Sequence, residues 1–271
     1  MITDSHCHLA SARFSEGEAV EIISRAEAAG VHRMVTLATS LEDLEKNLEL
    51  ANDARVAAAI GIHPCDVHNA PDDAVARLAE HMGDSRVCAI GETGLDYFHP
   101  APEGWEEANF RKRQRDFLVS HFELAAEAGL NVVIHTRDKQ GSASFEDALE
   151  IYSGYSGKVR AVFHCFISAW ELGEKVIAQG GLVSFGGVST FKNAHVAKDA
   201  ATRCPAGSFM METDSPYLAP EPMRGKRNEP AYSSHIAARI AELRGESLAS
   251  LAAHTESAVD GFFRWRNNQL E

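Results

Sequence analysis

The sequence predicts an α/β fold, a (β/α)8 barrel with helices packed outside a parallel sheet, and three observations lead to it. Short apolar runs alternate with longer amphipathic ones along the chain, giving about eight strand and helix units. The length of 271 residues suits one such barrel. His6, His8, Glu92, His135, His164 and Asp214 each fall at or just beyond the end of an apolar run, and a barrel gathers strand ends around one mouth. A doubly wound sheet is the next candidate, but no GxGxxG follows the first strand.

The elements follow in order. Strands are expected at residues 1–5, 33–38, 56–62, 87–91, 131–134, 160–163, 182–185 and 209–211, all but the first being short runs dominated by apolar residues. Helices are expected at 18–29, 72–82, 105–128 and 169–179, where the apolar spacing is helical and a glycine follows as a stop, at Gly30, Gly83, Gly129 and Gly180. Residues 99–104 and 218–230 are the least regular stretches, and both lie on the side that follows a strand. Nothing marks a domain boundary, so 1–271 reads as one barrel domain.

Composition narrows the function. No apolar stretch approaches the ~20 residues of a membrane span, and the N-terminus lacks the pattern of a secretory signal, so a cytoplasmic protein is expected. Five cysteines with no CxxC spacing argue against a disulfide framework or a zinc knuckle. A net charge of −13 argues against broad, basic nucleic-acid binding. It leaves room for a nucleic-acid substrate held by cations and a local basic loop.

The chemistry lies in the motifs. In Asp4-Ser5-His6-Cys7-His8, strand alternation turns both imidazoles to one side and Cys7 to the other, so His6 and His8 can share an ion. Such a pair also occurs as ordinary strand histidines. Glu92, after Ile90-Gly91, is a carboxylate with two oxygens and so a candidate bridge between two cations. Asp96 suits the orientation of a ligand histidine better than direct coordination. His135 follows Val132-Val133-Ile134, and His164 follows Ala161-Val162-Phe163. Asp214 completes the set and is a candidate to accept a proton from an attacking water, although Asp before Ser-Pro also caps turns.

Taken together, DSHCHL at 4–9, GIHP at 61–64, GETGLDY at 91–97, VIHTRD at 133–138, FHCF at 163–166, SFGG at 184–187, ETDSPYLAP at 212–220 and RGKRNEP at 224–230 resemble the TatD family of metal-dependent deoxyribonucleases. The ordered set spans nearly the whole chain. The resemblance implies a distorted (β/α)8 barrel with a two-metal site, in which His6, His8, Glu92 and Asp214 surround one ion and Glu92, His135 and His164 the other. His63, at another strand end, is a candidate phosphate contact or a structural histidine beside Pro64, and Arg137, two residues after His135, is a further phosphate candidate. The resemblance favours Arg224, Lys226 and Arg227 as a grip on flanking phosphates. Without it, the 224–227 run reads as a solvated loop face. The chain departs from the family pattern at Ile167-Ser168-Ala169 and in the 99–104 loop, which bears on substrate preference.

The expected function is hydrolysis of DNA phosphodiesters, from a 3′ end and on single strands as the resemblance implies, with two divalent ions drawn from Mg²⁺, Mn²⁺ or Zn²⁺. No membrane and no obligate protein partner are expected. Two other readings use the same residues. One is carbonyl hydrolysis, of an amide or of an aminoacyl-tRNA ester; Glu92 in place of a carboxylated lysine speaks against the amide. The other is a metal-stabilised binding protein without turnover.

Overall fold

The computed structural model describes residues 1–265. Eight parallel strands lie in the order β1 (Ile2–Cys7), β2 (Val31–Leu37), β3 (Val56–Ile60), β4 (Val87–Asp96), β5 (Val132–Arg137), β6 (Ala161–Phe163), β7 (Leu182–Phe185) and β8 (Phe209–Met211), each paired with the next. Between them run α1 (Ala19–Ala28), α2 (Leu44–Leu50), α3 (Ala74–Ala79), α4 (Glu107–Ala128), α5 (Ala143–Ser153), α6 (Trp170–Ala178) and α7 (His195–Arg203). The helices α8 (Ser233–Arg244) and α9 (Leu248–Asp260) follow β8. This is a nearly closed (β/α)8 barrel.

Alternation along the strands builds two cores. Val35, Leu37, Ala57, Ala59, Cys88, Val133, Val162, Leu182 and Met210 turn inward as one buried cluster, while Met34, Ala58, Val132, Ile134, Phe163 and Phe209 turn out against the helices. The inner cluster also contains Val259, Phe262 and Phe263, from the end of α9 and the residues after it. The Arg264 amide donates to Cys88 O at 3.0 Å, so this segment closes the end of the barrel where the strands begin.

The helices show the expected amphipathic spacing. In α4, Phe110, Gln114, Phe117, Leu118, His121, Phe122 and Ala125 form the buried stripe. It ends at Gly129 with φ of 64°, a left-handed stop that glycine adopts without a steric penalty.

Several boundaries differ from expectation, β1 running on to Cys7 and β5 to Arg137 among them. The helix expected over 72–82 is shorter, Ala74–Ala79. The strand expected to end at Gly91 continues to Asp96, because Gly94 pairs with His135 and Asp96 with Arg137 in the ladder to β5. Polar residues there made the sequence look like a loop. Gly94 permits the pairing: its φ is 145°, and a Cβ would stand 2.0 Å from His135 O. Glu92 and His135 therefore lie inside strands, whereas His164 and Asp214 lie beyond theirs.

The barrel is distorted at its seam. β8 and β1 meet through one isolated bridge, Cys7 to Ser215, flanked by Asp214 N to His6 O at 2.9 Å and His8 N to Ser215 O at 2.8 Å. The buried Asp4 carboxylate adds bonds from the Thr213 amide at 2.9 Å and the Thr213 hydroxyl at 2.6 Å. Cys7 points away from the barrel interior, as alternation requires, and its thiol donates to Val35 O at 3.3 Å.

Candidate metal centre

The inward side of β5, β6 and β8 continues into polar residues at the mouth. Val133 is followed two residues later by His135, Val162 by His164, and Met210 by Glu212 and then Asp214. The seam bonds place His6 and His8 beside Asp214. Four imidazoles and two carboxylates thus converge although they are spread over more than two hundred residues of chain.

Glu92 is the common element. Its Oε2 lies 3.4 Å from both His6 Nε2 and His8 Nε2, and its Oε1 lies 2.9 Å from His135 Nδ1 and 3.0 Å from His164 Nε2. Each oxygen serves one histidine pair. Asp214 Oδ1 adds to the first pair, at 3.5 Å from His8 Nε2 and 3.8 Å from His6 Nε2.

The donor set fits cations. His6 Nε2 and His8 Nε2 are 3.2 Å apart, as are His135 Nδ1 and His164 Nε2. A single proton between two such nitrogens satisfies one of them, whereas two ligands of one tetrahedral ion at bonds of ~2.0–2.1 Å stand about 3.3 Å apart. The far side of two rings meets an oxygen acceptor, which would hold a proton there when a cation takes the inward nitrogen: His8 Nδ1 faces Leu37 O at 3.3 Å, and His135 Nε2 faces Asp96 Oδ2 at 3.2 Å. Asp96 thus lies against the outer nitrogen of His135.

The electrostatics agree. Burial opposes ionisation of Glu92, but the surrounding His63, His164, His6 and His135 hold its carboxyl well below the usual range. Burial likewise opposes charge on Asp214, and the bond from His8 with the fields of His6 and His164 outweighs it. Burial disfavours the charged form of His8, yet Asp214 and Glu92 pull it up to about 9. His164 is raised against burial by Glu92 and Glu212, while burial and the neighbouring His164 lower His6. These acids demand nearby positive charge, which protons on the imidazoles or bound cations supply.

Two residues join the cluster beyond the expected ligands. Glu212, buried, accepts from the Cys165 amide at 2.7 Å and faces His164 Nδ1 at 3.4 Å. It was legible only as an acid directly after an apolar strand, two positions before Asp214. His63, expected at the substrate, also stands 3.5 Å from Glu92 Oε1 and groups with Glu92 and His135.

A cleft of about 1650 Å³ opens over the cluster, lined among others by Arg13, His63, Arg137, Tyr217, Lys226 and Arg227. Arg137 lies over the Phe98 ring at 4.1 Å. Arg227 is committed elsewhere: it pairs with Glu18, donates to Arg13 O at 3.1 Å and covers Phe14. Arg224 is absent from the cleft lining and lies over Phe191 at 4.0 Å, in a separate hollow. Of the basic run, Lys226 faces the cleft and makes no ion pair among the described residues.

The sequence model of the family described as TatD related DNase matches residues 3–264. A Bacillus subtilis (strain 168) relative named uncharacterized metal-dependent hydrolase YabD is 32% identical over 266 residues, covering 97% of this chain and 99% of its own. A Cronobacter sakazakii relative named 3'-5' ssDNA/RNA exonuclease TatD is 32% identical over 253 residues, 90% of each chain. The crystal structure of YJJV, a TatD homolog from Escherichia coli K12, matches with a TM-score of 0.85 at 26% identity over 97% of both chains. With its barrel and its histidine and carboxylate cluster, the chain belongs to the TatD related DNase family of metal-dependent hydrolases.

Proposed function

We propose that the protein is a phosphodiesterase that removes nucleotides from the 3′ end of single-stranded DNA, working with two divalent ions, Mg²⁺, Mn²⁺ or Zn²⁺. The observation that carries the reading is the division of Glu92, one oxygen to His6 and His8 and the other to His135 and His164. That division suits a carboxylate shared by two cations. In this reading His6, His8, Glu92 and Asp214 hold one ion, and Glu92, His135 and His164 the other.

Ions bound there would acidify a water and offset the charge that grows on a phosphoryl oxygen. The chain's own groups do the rest. Asp214 Oδ1 accepts the proton as the water oxygen attacks phosphorus opposite the leaving sugar oxygen. Glu92 fixes the cluster and does not transfer protons. His63, Arg137 and Lys226 line the cleft and hold the phosphates on either side of the scissile bond. Arg137 and Lys226 at the mouth attract a polyanion to a chain whose net charge is −13. The exonuclease name of the Cronobacter relative supports the same direction and strand preference.

The test is hydrolysis of 5′-labelled single-stranded DNA by metal-stripped protein to which Mg²⁺, Mn²⁺ and Zn²⁺ are returned separately. Stepwise shortening from the 3′ end is expected with metal, falling 10²- to 10⁴-fold in Asp214→Asn, whose amide cannot take a proton. Metal-loaded protein that leaves the strand intact contradicts the reading.

A further inference from the structure

A second group of donors stands on the rim beside the Glu92 cluster. Cys65 lies in the loop after β3, Asp96 ends β4, and His99 is the third residue of the loop that follows. Cys65 Sγ is 3.6 Å from His99 Nδ1, and the same nitrogen is 3.0 Å from Asp96 Oδ2. One ligand atom from each residue lies within 4.8 Å of the other two.

The three donors face one another. The single Nδ1 of His99 faces both the Asp96 carboxylate and the Cys65 sulfur, and the Cys65 thiol also reaches Asp96, so one nitrogen, one sulfur and one carboxylate oxygen point at a common space. Asp96 Oδ1 is already used by the amides of Phe98 at 3.0 Å and His99 at 2.9 Å. The loop that carries the thiol is pinned as well. Cys65 N donates to His63 Nδ1 at 3.1 Å, and His68 Nδ1 faces Cys65 O at 2.9 Å. A sulfur and an imidazole nitrogen bound to one tetrahedral zinc, with bonds of ~2.3 and ~2.0–2.1 Å, stand about 3.5 Å apart.

We propose that Cys65, Asp96 and His99 form a further cation site, selective for a zinc-class divalent ion, distinct from the positions around Glu92. A mixed sulfur, nitrogen and oxygen set favours Zn²⁺ or Co²⁺ over Mg²⁺. His99 is 48% exposed in its side chain, so an ion reaches the site from solvent and keeps a position for water. Binding breaks the Cys65 S–H bond as the sulfur bonds the metal, and one proton passes to water for each ion taken up. Asp96 links the site to the main cluster, because its Oδ2 also faces His135 Nε2 at 3.2 Å. An ion on Asp96 would draw on the charge that orients His135. The site does not depend on the phosphodiesterase reading.

The experiment loads the full-length, chelator-stripped protein with Co²⁺, removes free metal, and records both the ions bound per chain and the near-ultraviolet thiolate-to-cobalt charge-transfer band. The wild type should show the band; Cys65→Ala should lose it, and Cys165→Ala, whose thiol lies beside the main cluster, should keep it. His99→Ala alters an exposed side chain and guards against a folding artefact. It and Cys65→Ala should each bind about one ion fewer than wild type, whatever the total held around Glu92. Equal metal content in all the proteins, or a band that survives Cys65→Ala, overturns the site. Because wild type and variants differ only at the rim, failure there is separable from failure of the Glu92 centre, which would remove metal from every protein alike.

Discussion

Asp4 and Thr213 join the first strand to the segment after the last, the Asp4 carboxylate accepting both the amide of Thr213 at 2.9 Å and its hydroxyl at 2.6 Å. Both residues are buried. This is the seam where regular strand pairing gives way to a single bridge, and it sets His6 and His8 against Asp214. Thr213→Val keeps the shape and removes the hydroxyl, which leaves without that partner both Asp4 Oδ2, on a carboxyl that burial pushes up to about 8, and the Ser215 amide, which donates to the hydroxyl at 3.1 Å. A loss of about 1–3 kcal/mol is expected in urea unfolding. An unchanged midpoint would show that the hydroxyl does not hold the seam.

His121 gives a pH dependence of known sign. Its Nδ1 donates to Phe117 O at 2.7 Å and its Nε2 accepts from Ile62 N at 3.0 Å, an arrangement that needs the neutral ring. Burial pushes it down to about 4 from an ordinary 6.5. Between those values the unfolded chain binds a proton that the folded chain does not. Stability from this residue is therefore fully present above about pH 6.5 and lost as pH falls towards 4, by about 1.4 kcal/mol per unit. Urea unfolding from pH 7.5 to 4.5 should show wild type losing roughly 2 kcal/mol more than His121→Gln, which does not titrate. Parallel profiles would remove His121 from the account of acid sensitivity.

The basic residues after β8 should separate by function. Lys226 faces the cleft and makes no ion pair among the described residues, whereas Arg227 is tied to Glu18, which it holds down to about 2. Lys226→Ala should raise KM for single-stranded DNA several-fold, weaken its salt dependence and leave kcat nearly unchanged. Arg227→Ala should instead lower the melting temperature slightly, with a smaller change in KM. Steady-state kinetics at two salt concentrations, with thermal melts, check the contrast.

The barrel was legible because its strands are short apolar runs and its helices end at glycines such as Gly129. Of the candidate ligands, His135 and His164 were legible because each continues the inward column of an apolar strand, His135 after Val133 and His164 after Val162. What stayed hidden depends on partners distant in sequence. The extension of β4 through Glu92, Thr93 and Asp96 rests on pairing with β5 and on the close approach of Gly94 to His135, which no local pattern encodes. The fate of Arg224 and Arg227 was set by Phe191 and Glu18, and that of Asp4 by Thr213. Acids such as Glu212 carry no signal of their own until the fold turns them toward a histidine.

The central claim is that Glu92 joins two cations, and electron paramagnetic resonance of the Mn²⁺-reconstituted protein tests it most directly. At saturating Mn²⁺ the wild type should give the exchange-coupled spectrum of a carboxylate-bridged pair, and Glu92→Gln, folded by circular dichroism, should give only isolated Mn²⁺ signals. Uncoupled Mn²⁺ in the wild type, or a coupled pair that persists in Glu92→Gln, would contradict the bridge.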